Sequence, residues 1–277
     1  MRFSTFLPAV VLAATTAMPA MAQEETAPPE PITISGSATV ASDYRFRGVS
    51  QTDKNVAVQG GITIAHESGV YIGTWGSNLA GWGAFGGANL ELDLIAGYKQ
   101  TFGTATVDAG VTWYTYPGGA DETDVVEFYG KLSGTAGPAT LTAGVFYAPK
   151  QTSLSYATAS ATPFVPGDGG RQKNLYLSGD AAAGIPETPV TLKAHIGYSD
   201  GNPGLGPNGT SLAPTGKYWD WLIGADYTYK NLTLGVAYID TDISRAESAY
   251  IQPNFSKTTN GSPIAASTVV VSLTAAL

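Results

Sequence analysis

The sequence contains no cysteine, few charged residues and, beyond its N-terminus, no apolar run long enough for a membrane helix. Without cysteine the chain cannot form a disulfide, a thiolate metal site or a thiol nucleophile. Charged residues make up 13% of the 277 residues, which is about half the share found in soluble domains. The formal net charge of -8 gives little attraction for nucleic-acid phosphates, so nucleic acid is not a predicted partner.

The N-terminus has the three parts of a secretory signal. Arg2 supplies a positive charge, residues 6–14 are apolar, and the small-x-small triplet at 20–22 (AMA) is a cleavage site. The apolar part is too short for a membrane anchor. We therefore predict that residues 1–22 are removed after Ala22 and that the Pro-rich residues 23–31 form a flexible lead-in.

From residue 32 onward, apolar residues recur at every second position, which is the period of a strand with two different faces. In 90–102, for example, Leu90, Leu92 and Leu94 alternate with Glu91 and Asp93. The pattern predicts twelve strands, near residues 32–46, 55–66, 70–76, 88–101, 104–115, 124–135, 138–148, 173–183, 189–199, 217–229, 231–240 and 265–277.

The connections between these strands alternate between short turns and long loops rich in Gly, Pro and Asn. This alternation is typical of an outer-membrane barrel with both chain ends at the short-turn side. We therefore predict an all-β fold in which residues 32–277 form a transmembrane antiparallel β-barrel of twelve strands, with ten or fourteen as the alternatives. A soluble barrel or sandwich would need a more highly charged outer face.

Aromatic residues cluster near the ends of the predicted strands. Trp and Tyr rings prefer the headgroup level of a bilayer, where the ring is half dry and its polar atom stays hydrated. We therefore predict an aromatic girdle formed by Tyr44, Phe46, Trp75, Tyr98, Trp113, Trp219, Trp221 and Tyr227.

The charged residues of the strands fall on the face opposite the apolar one. An Arg or Lys that faces lipid at the bilayer midplane costs roughly 2–4 kcal/mol, so these residues are predicted to line the lumen. The predicted channel-lining residues are Asp43, Arg45, Arg47, Glu91, Asp93, Lys99, Asp108, Glu127, Lys131, Lys193, His195, Asp220 and Asp226. The first and fourth strands lie a quarter-turn apart, which would set Arg45 and Arg47 across the lumen from Glu91 and Asp93. Such an opposition of charge would orient polar solutes at a constriction.

Catalytic chemistry has little support in the sequence. The chain has two histidines, and neither the GxSxG nor the HExxH motif occurs. His66 falls in a predicted turn, while His195 is predicted to face the lumen as a hydrogen-bonding group. We therefore predict no enzymatic activity, no cofactor and no metal site.

Six blocks of the sequence are distinctive: SDYRFRGVSQ (42–51), GVYIGTWGSN (69–78), ELDLIAGY (91–98), YPG (116–118), Asp220-Trp221 with Gly224, and AYIDTD (237–242). These blocks resemble those of the TorF-like porin family of proteobacterial outer-membrane proteins. The resemblance covers the whole mature chain. It implies a porin-like channel whose substrate is undefined.

The sequence thus predicts a passive porin-like channel for small polar or charged solutes in the outer membrane of a Gram-negative bacterium. The alternative is a closed barrel that acts structurally or as an adhesin through its long surface loops. The expected partners are outer-membrane lipid, lipopolysaccharide, small solutes and the barrel-assembly machinery. That machinery reads a C-terminal aromatic residue in most such barrels, whereas this chain ends with Leu277, which keeps the apolar outward phase.

Overall fold

The computed structural model of the protein describes residues 31–81, 85–155, 170–201, 211–247 and 263–277. The predicted signal sequence, and the lead-in up to residue 30, lie outside these ranges. No helical segment within them is long and apolar enough to cross a bilayer.

The described residues form fourteen strands and two short 3-10 turns, Phe85–Gly87 and Thr152–Leu154. The strands are β1 (Ile32–Ala41), β2 (Arg45–Phe46), β3 (Val49–Ser50), β4 (Ala57–His66), β5 (Val70–Asn78), β6 (Leu90–Phe102), β7 (Ala105–Thr115), β8 (Val125–Ala136), β9 (Ala139–Gln151), β10 (Gln172–Gly184), β11 (Val190–Asp200), β12 (Lys217–Tyr229), β13 (Leu232–Thr241) and β14 (Thr268–Ala276).

Twelve of these strands close into one antiparallel barrel, which confirms the predicted fold class and strand number. β4 to β14 pair with their neighbours in chain order, and β1 closes the ring between β4 and β14. Closure gives every wall strand a hydrogen-bonded neighbour on both sides. In hydrocarbon an open edge would leave N–H and C=O groups unpaired, at several kcal/mol each.

The wall has an apolar outer face and a largely polar inner one. On β12, Ile223 points outward and is 67% exposed, whereas its neighbour Leu222 is buried inside the barrel. Leu141 on β9 is exposed in the same way. This outer surface has the alternation that a bilayer-spanning strand requires.

Short turns and long loops lie at opposite rims of the barrel. At one end, which we call the turn rim, the connections are tight, and Gly103 and Gly137 have the positive φ values, 62° and 59°, that such turns demand. The other end, the loop rim, carries the long connections. This arrangement follows the predicted alternation.

The first strand differs from its prediction. β1 ends at Ala41, not at residue 46, and in residues 42–56 the chain leaves the wall, so that residues 43–53 are buried or half-buried inside the barrel. Within this stretch, which we call the inward segment, β2 and β3 pair only with each other. The alternation of SDYRFRG continues past Ala41, but its polar groups bind one another and the far wall instead of a neighbouring strand.

Five of the eight predicted girdle residues face outward from the barrel. Tyr98, Trp113, Trp219, Trp221 and Tyr227 lie on the outward phase of their strands. Tyr98 and Tyr227 stand towards the turn rim, whereas Trp113, Trp219 and Trp221 stand towards the loop rim. The barrel therefore carries outward aromatic residues near both rims.

Three girdle predictions are wrong. Tyr44 and Phe46 belong to the inward segment and contact the buried cluster inside the barrel. Trp75 lies on the inward phase of β5, where its ring packs edge-on against Tyr44 at 5.4 Å between centroids. Nearness to a strand end does not reveal which face a ring takes.

Two inward tyrosines lie over a pair of glycines. Gly97 on β6 stands directly opposite Gly110 on β7. A Cβ added at Gly97 would come within 2.5 Å of the Tyr71 hydroxyl, and one at Gly110 within 2.5 Å of the Tyr129 hydroxyl. The glycines therefore make the room in which the two tyrosine hydroxyls meet.

Replacing Gly110 with valine should destabilise the barrel by about 1–3 kcal/mol, because the added Cβ would collide with the Ala96 carbonyl oxygen and with the Tyr129 hydroxyl. The measurement is the temperature at which the folded, fast-migrating form is lost in a heating series on gels. Gly134→Val is the matched control, since nothing lies within 4 Å of a Cβ at Gly134. Equal loss of the folded form in both variants would contradict the packing described.

Candidate functional site

The candidate site is the barrel interior. The predicted lining residues of the wall strands all lie on the inward phase, and most of them are buried: Glu91, Asp93, Glu127, Lys193, His195, Asp220 and Asp226. Lys99, Asp108 and Lys131 stand nearer the turn rim and are less buried. Asp43, Arg45 and Arg47 also lie inside, but on the inward segment and not on the wall.

Asp43 organises the inward segment. Its carboxylate accepts hydrogen bonds from Arg45 Nε at 2.6 Å, Ser50 Oγ at 2.6 Å and Thr52 Oγ1 at 3.0 Å. Arg45 Nη1 donates in turn to the carbonyl oxygen of Ile264 at 2.7 Å, on the approach to β14. Arg45 therefore acts within the segment as an ion-pair partner and a backbone anchor.

Arg47 reaches across the lumen. Its Nη2 donates to both Glu127 carboxylate oxygens, at 2.7 and 2.8 Å, and β8, which carries Glu127, stands nearly opposite β1 in the strand order. The Tyr114 hydroxyl donates to the same carboxylate at 3.0 Å. Both charged side chains are almost fully buried, with exposures of 3% and 1%.

Aromatic rings surround the Arg47 guanidinium. Its central carbon lies 4.1 Å from the Tyr176 ring centroid, 4.7 Å from that of Phe46 and 5.9 Å from that of Phe146. Such contacts between a cation and a ring face stabilise a desolvated guanidinium. The backbone delivers Arg47 to this position through a tight turn in which Arg47 and Gly48 both have positive φ.

A second group of acids lies beside the inward segment. The Tyr44 hydroxyl donates to Glu91 at 2.9 Å, and Asp93 stands two residues further along β6. Burial, followed by the negative charge of Glu91, raises the pKa of Tyr44 well above its ordinary value, so Tyr44 remains a neutral donor. Within the described ranges, Asp93 Oδ1 has no hydrogen-bond partner.

His195 stands between two carboxylates near the middle of the barrel. Its Nδ1 lies 2.7 Å from Asp180 and its Nε2 lies 3.2 Å from Asp220. The Tyr176 hydroxyl contacts both His195 Nε2 and the Asp220 carboxylate, at 2.8 and 3.1 Å. Tyr176 thereby joins the histidine cluster to Arg47, whose guanidinium lies over the Tyr176 ring.

Towards the turn rim the lumen holds two further groups of charged residues. Lys193 Nζ contacts Asp226 at 2.5 Å. Lys131 lies opposite Asp108 in the β7–β8 register, and its ammonium stands 4.7 Å from the Tyr129 ring centroid. The Tyr71 hydroxyl donates to Asp108 and also contacts the Tyr129 hydroxyl.

The predicted opposition of Arg45 and Arg47 to Glu91 and Asp93 is wrong. β6 does lie a quarter-turn from β1 in the strand order. Neither arginine is on β1, however, because the inward segment carries Arg45 back to Asp43 and Arg47 over to Glu127. Each arginine is therefore neutralised by a partner that the strand pattern did not indicate.

Sequence reasoning also missed several interior residues. Asp180 lies on the inward phase of β10, two positions from Ser178 and four from Tyr176. The two-residue period of this strand was therefore enough to predict that Asp180 faces the lumen. Inward tyrosines such as Tyr71, Tyr114, Tyr129 and Tyr176 gave a weaker signal, since tyrosine is expected on either face of a membrane strand. Of the charged residues described above, eight are acidic and five are Arg or Lys, so the interior is acidic overall.

The comparisons with known proteins agree with this architecture. A family model described as a bacterial protein of unknown function (Gcw_chp) matches residues 25–277. No curated protein matches the sequence. A solved structure from work on the in-meso crystallization of membrane proteins has a TM-score of 0.50 at 10% identity, covering 88% of this chain and 83% of its own. That likeness shows the fold.

Two porins are also similar. A refined porin structure has a TM-score of 0.42 at 10% identity, covering 89% of this chain and 100% of its own. An anion-selective porin from Comamonas acidovorans has a TM-score of 0.40 at 11% identity, covering 89% and 99%.

Replacing Arg47 with alanine should lower the free energy of unfolding by about 3–5 kcal/mol, because it leaves the Glu127 carboxylate buried without its counter-charge. The measurement is the denaturant midpoint of the refolded barrel in detergent. Arg47→Ala combined with Glu127→Gln should recover part of the loss. Arg171→Ala, at an exposed loop position, is the matched control, and a loss in it equal to that of Arg47→Ala would contradict the role of the buried pair.

Proposed function

We propose that this chain, which belongs to the Gcw_chp family of bacterial proteins of unknown function, is a passive outer-membrane channel for small polar or charged solutes. The observation that carries the proposal is the charged, hydrogen-bonding interior enclosed by an apolar wall. A barrel that served only to fill the membrane would have no need of this many buried charges, since each is costly to desolvate.

The dimensions support a narrow path. Twelve strands about 4.8 Å apart and tilted by about 40° give a backbone radius of roughly 12 Å, from which the inward side chains take several Å on every side. The inward segment lies inside the half of the barrel next to the loop rim. Its contact between Arg47 and Glu127 crosses the middle of that path. Solute passage therefore requires the inward segment to move.

The turn half supports conduction more directly. Near the turn rim the inward positions carry pairs of threonine hydroxyls, among them Thr101 with Thr106 and Thr228 with Thr233. Hydroxyl groups can replace part of the water around a passing solute without fixing it in place. The excess of acids over bases further inside would favour cations over anions.

The opening step breaks the Arg47–Glu127 contact. In the closed form the pair is stabilised by its mutual attraction, by Tyr114 and by the ring of Tyr176. Water that enters as the segment withdraws would hydrate Arg47, whereas the Glu127 carboxylate stays in the wall without a counter-charge, so opening has a cost that a cationic solute can offset. A gradient across the membrane then suffices to drive the solute.

The resemblance to the TorF-like porins supports the same function. Its SDYRFRGVSQ block coincides with most of the inward segment, and its AYIDTD block ends β13 at the loop rim. We place the protein in the outer membrane of a Gram-negative bacterium after export and signal cleavage near Ala22. Lipid, lipopolysaccharide and the barrel-assembly machinery are its proposed partners.

One observation favours a closed structural or adhesive barrel as the second candidate. At the loop rim, apolar residues of the inward segment and of the connections form a tight cluster, in which Val49 is 2% exposed and Ile264 is fully buried. A lumen sealed in this way could serve only to present the surface loops. An enzyme is a weaker candidate, because both ring nitrogens of His195 are already held by carboxylates.

Arg47→Ala should raise the open probability of single channels in planar bilayers above that of the wild type, because it releases the inward segment from β8. The reversal potential in a KCl gradient should indicate preference for cations, as the interior acids dictate. Arg171→Ala should behave as the wild type. Absence of conductance in both the wild type and Arg47→Ala would contradict the channel and favour the closed barrel.

A further inference from the structure

We propose that Glu127, Phe146 and Tyr176 form a guanidinium-binding site in the barrel wall. Arg47 fills the site in this structure, and a guanidinium-bearing solute fills it when the inward segment withdraws. The site itself depends only on the contacts of the described residues, whereas its use by a passing solute rests on the proposed channel function. The inference names a substrate class for that channel: small cations with a planar guanidinium group.

The three wall residues come from three adjacent strands. Glu127 is on β8, Phe146 on β9 and Tyr176 on β10, and Phe146 is paired with Tyr176 across the β9–β10 ladder. The barrel hydrogen bonds therefore fix their spacing. The site does not depend on the inward segment for its shape.

Contacts within the wall also hold the side chains. The Tyr114 hydroxyl donates to Glu127, and the Tyr176 hydroxyl is engaged by Asp220 and His195. The Tyr176 ring packs at 5.8 Å from that of Phe146. When Arg47 leaves, the Glu127 carboxylate and the Tyr176 ring thus remain in place, and only the Phe46 ring leaves with the inward segment.

The chemistry of the pocket selects a guanidinium over an ammonium. The carboxylate takes hydrogen bonds from one nitrogen, Arg47 Nη2, while Nη1 is buried and has no hydrogen-bond partner among the residues that the structure describes. A guanidinium tolerates such an environment because it is planar, delocalised and weakly hydrated, and because it stacks on aromatic faces. A compact, strongly hydrated ammonium would lose more water and would direct donors at ring carbons.

The charge of Glu127 explains why a solute cation would replace Arg47. Without Arg47 the Glu127 carboxylate would stay largely desolvated with no counter-charge, which is strongly unfavourable. A solute carrying the same group restores the balance. Since the solute and Arg47 compete for one site, solute binding favours the form in which the inward segment has left it.

The test is a calorimetric titration of methylguanidinium into folded Arg47→Ala protein in detergent, at concentrations too low to denature it. We expect saturable binding, with a rise in unfolding temperature. The wild type should bind at least about tenfold more weakly because its site is filled, and Arg47→Ala with Glu127→Gln should bind no ligand. Methylammonium should bind Arg47→Ala at least about tenfold more weakly than methylguanidinium, a difference of about 1.4 kcal/mol.

Equal binding by Arg47→Ala and the Glu127→Gln double variant would overturn the site, and so would equal affinity for the two cations. If Arg47→Ala does not fold, Arg47→Met keeps the apolar stem and is titrated in the same way. The binding measurement is independent of conductance. A variant that binds methylguanidinium but never conducts would contradict the channel and support the site, whereas a conducting variant that binds none would overturn the site alone.

Discussion

Backbone hydrogen bonding in an apolar surrounding is the constraint on which the rest of this structure depends. Each wall strand presents apolar side chains outward, so its N–H and C=O groups can be satisfied only by neighbouring strands. The ring of twelve strands closes through the pairing of β1 with both β4 and β14. Once the wall is closed, the polar side chains of the alternating pattern all face the interior of the barrel.

The interior then faces the opposite problem, because charges concentrated in a narrow space must be paired or hydrated. The protein pairs some of them across adjacent strands, as in Lys193 with Asp226. The inward segment extends this solution into the middle of the lumen, where Arg47 reaches Glu127 on the far wall. The contact that neutralises these two charges therefore also holds the inward segment across the middle of the lumen.

The rings around Arg47 show how a wall can accommodate a cation without many acceptors. Tyr176 and Phe146 offer faces rather than lone pairs, and Glu127 supplies the single full charge. Tyr176 also touches the His195 and Asp220 pair, so the two clusters share one side chain. A substitution that moves the Tyr176 ring in the His195 cluster would therefore also change the packing around Arg47, and the reverse holds as well.

The two-residue period and the alternating turns and loops were enough to predict the all-β barrel, its twelve strands and the inward phase of Glu91, Glu127 and Lys193. These features are local, since the alternation of apolar and polar residues within each strand shows which of its faces is apolar. The path of residues 42–56 was not predictable, because their alternation looks like a continued strand. Only the tertiary structure decides that β1 ends at Ala41 and that Arg47 meets Glu127. Those partners lie far apart in the chain and come together only after the barrel has closed, which is why the sequence determined the wall and the fold determined what fills it.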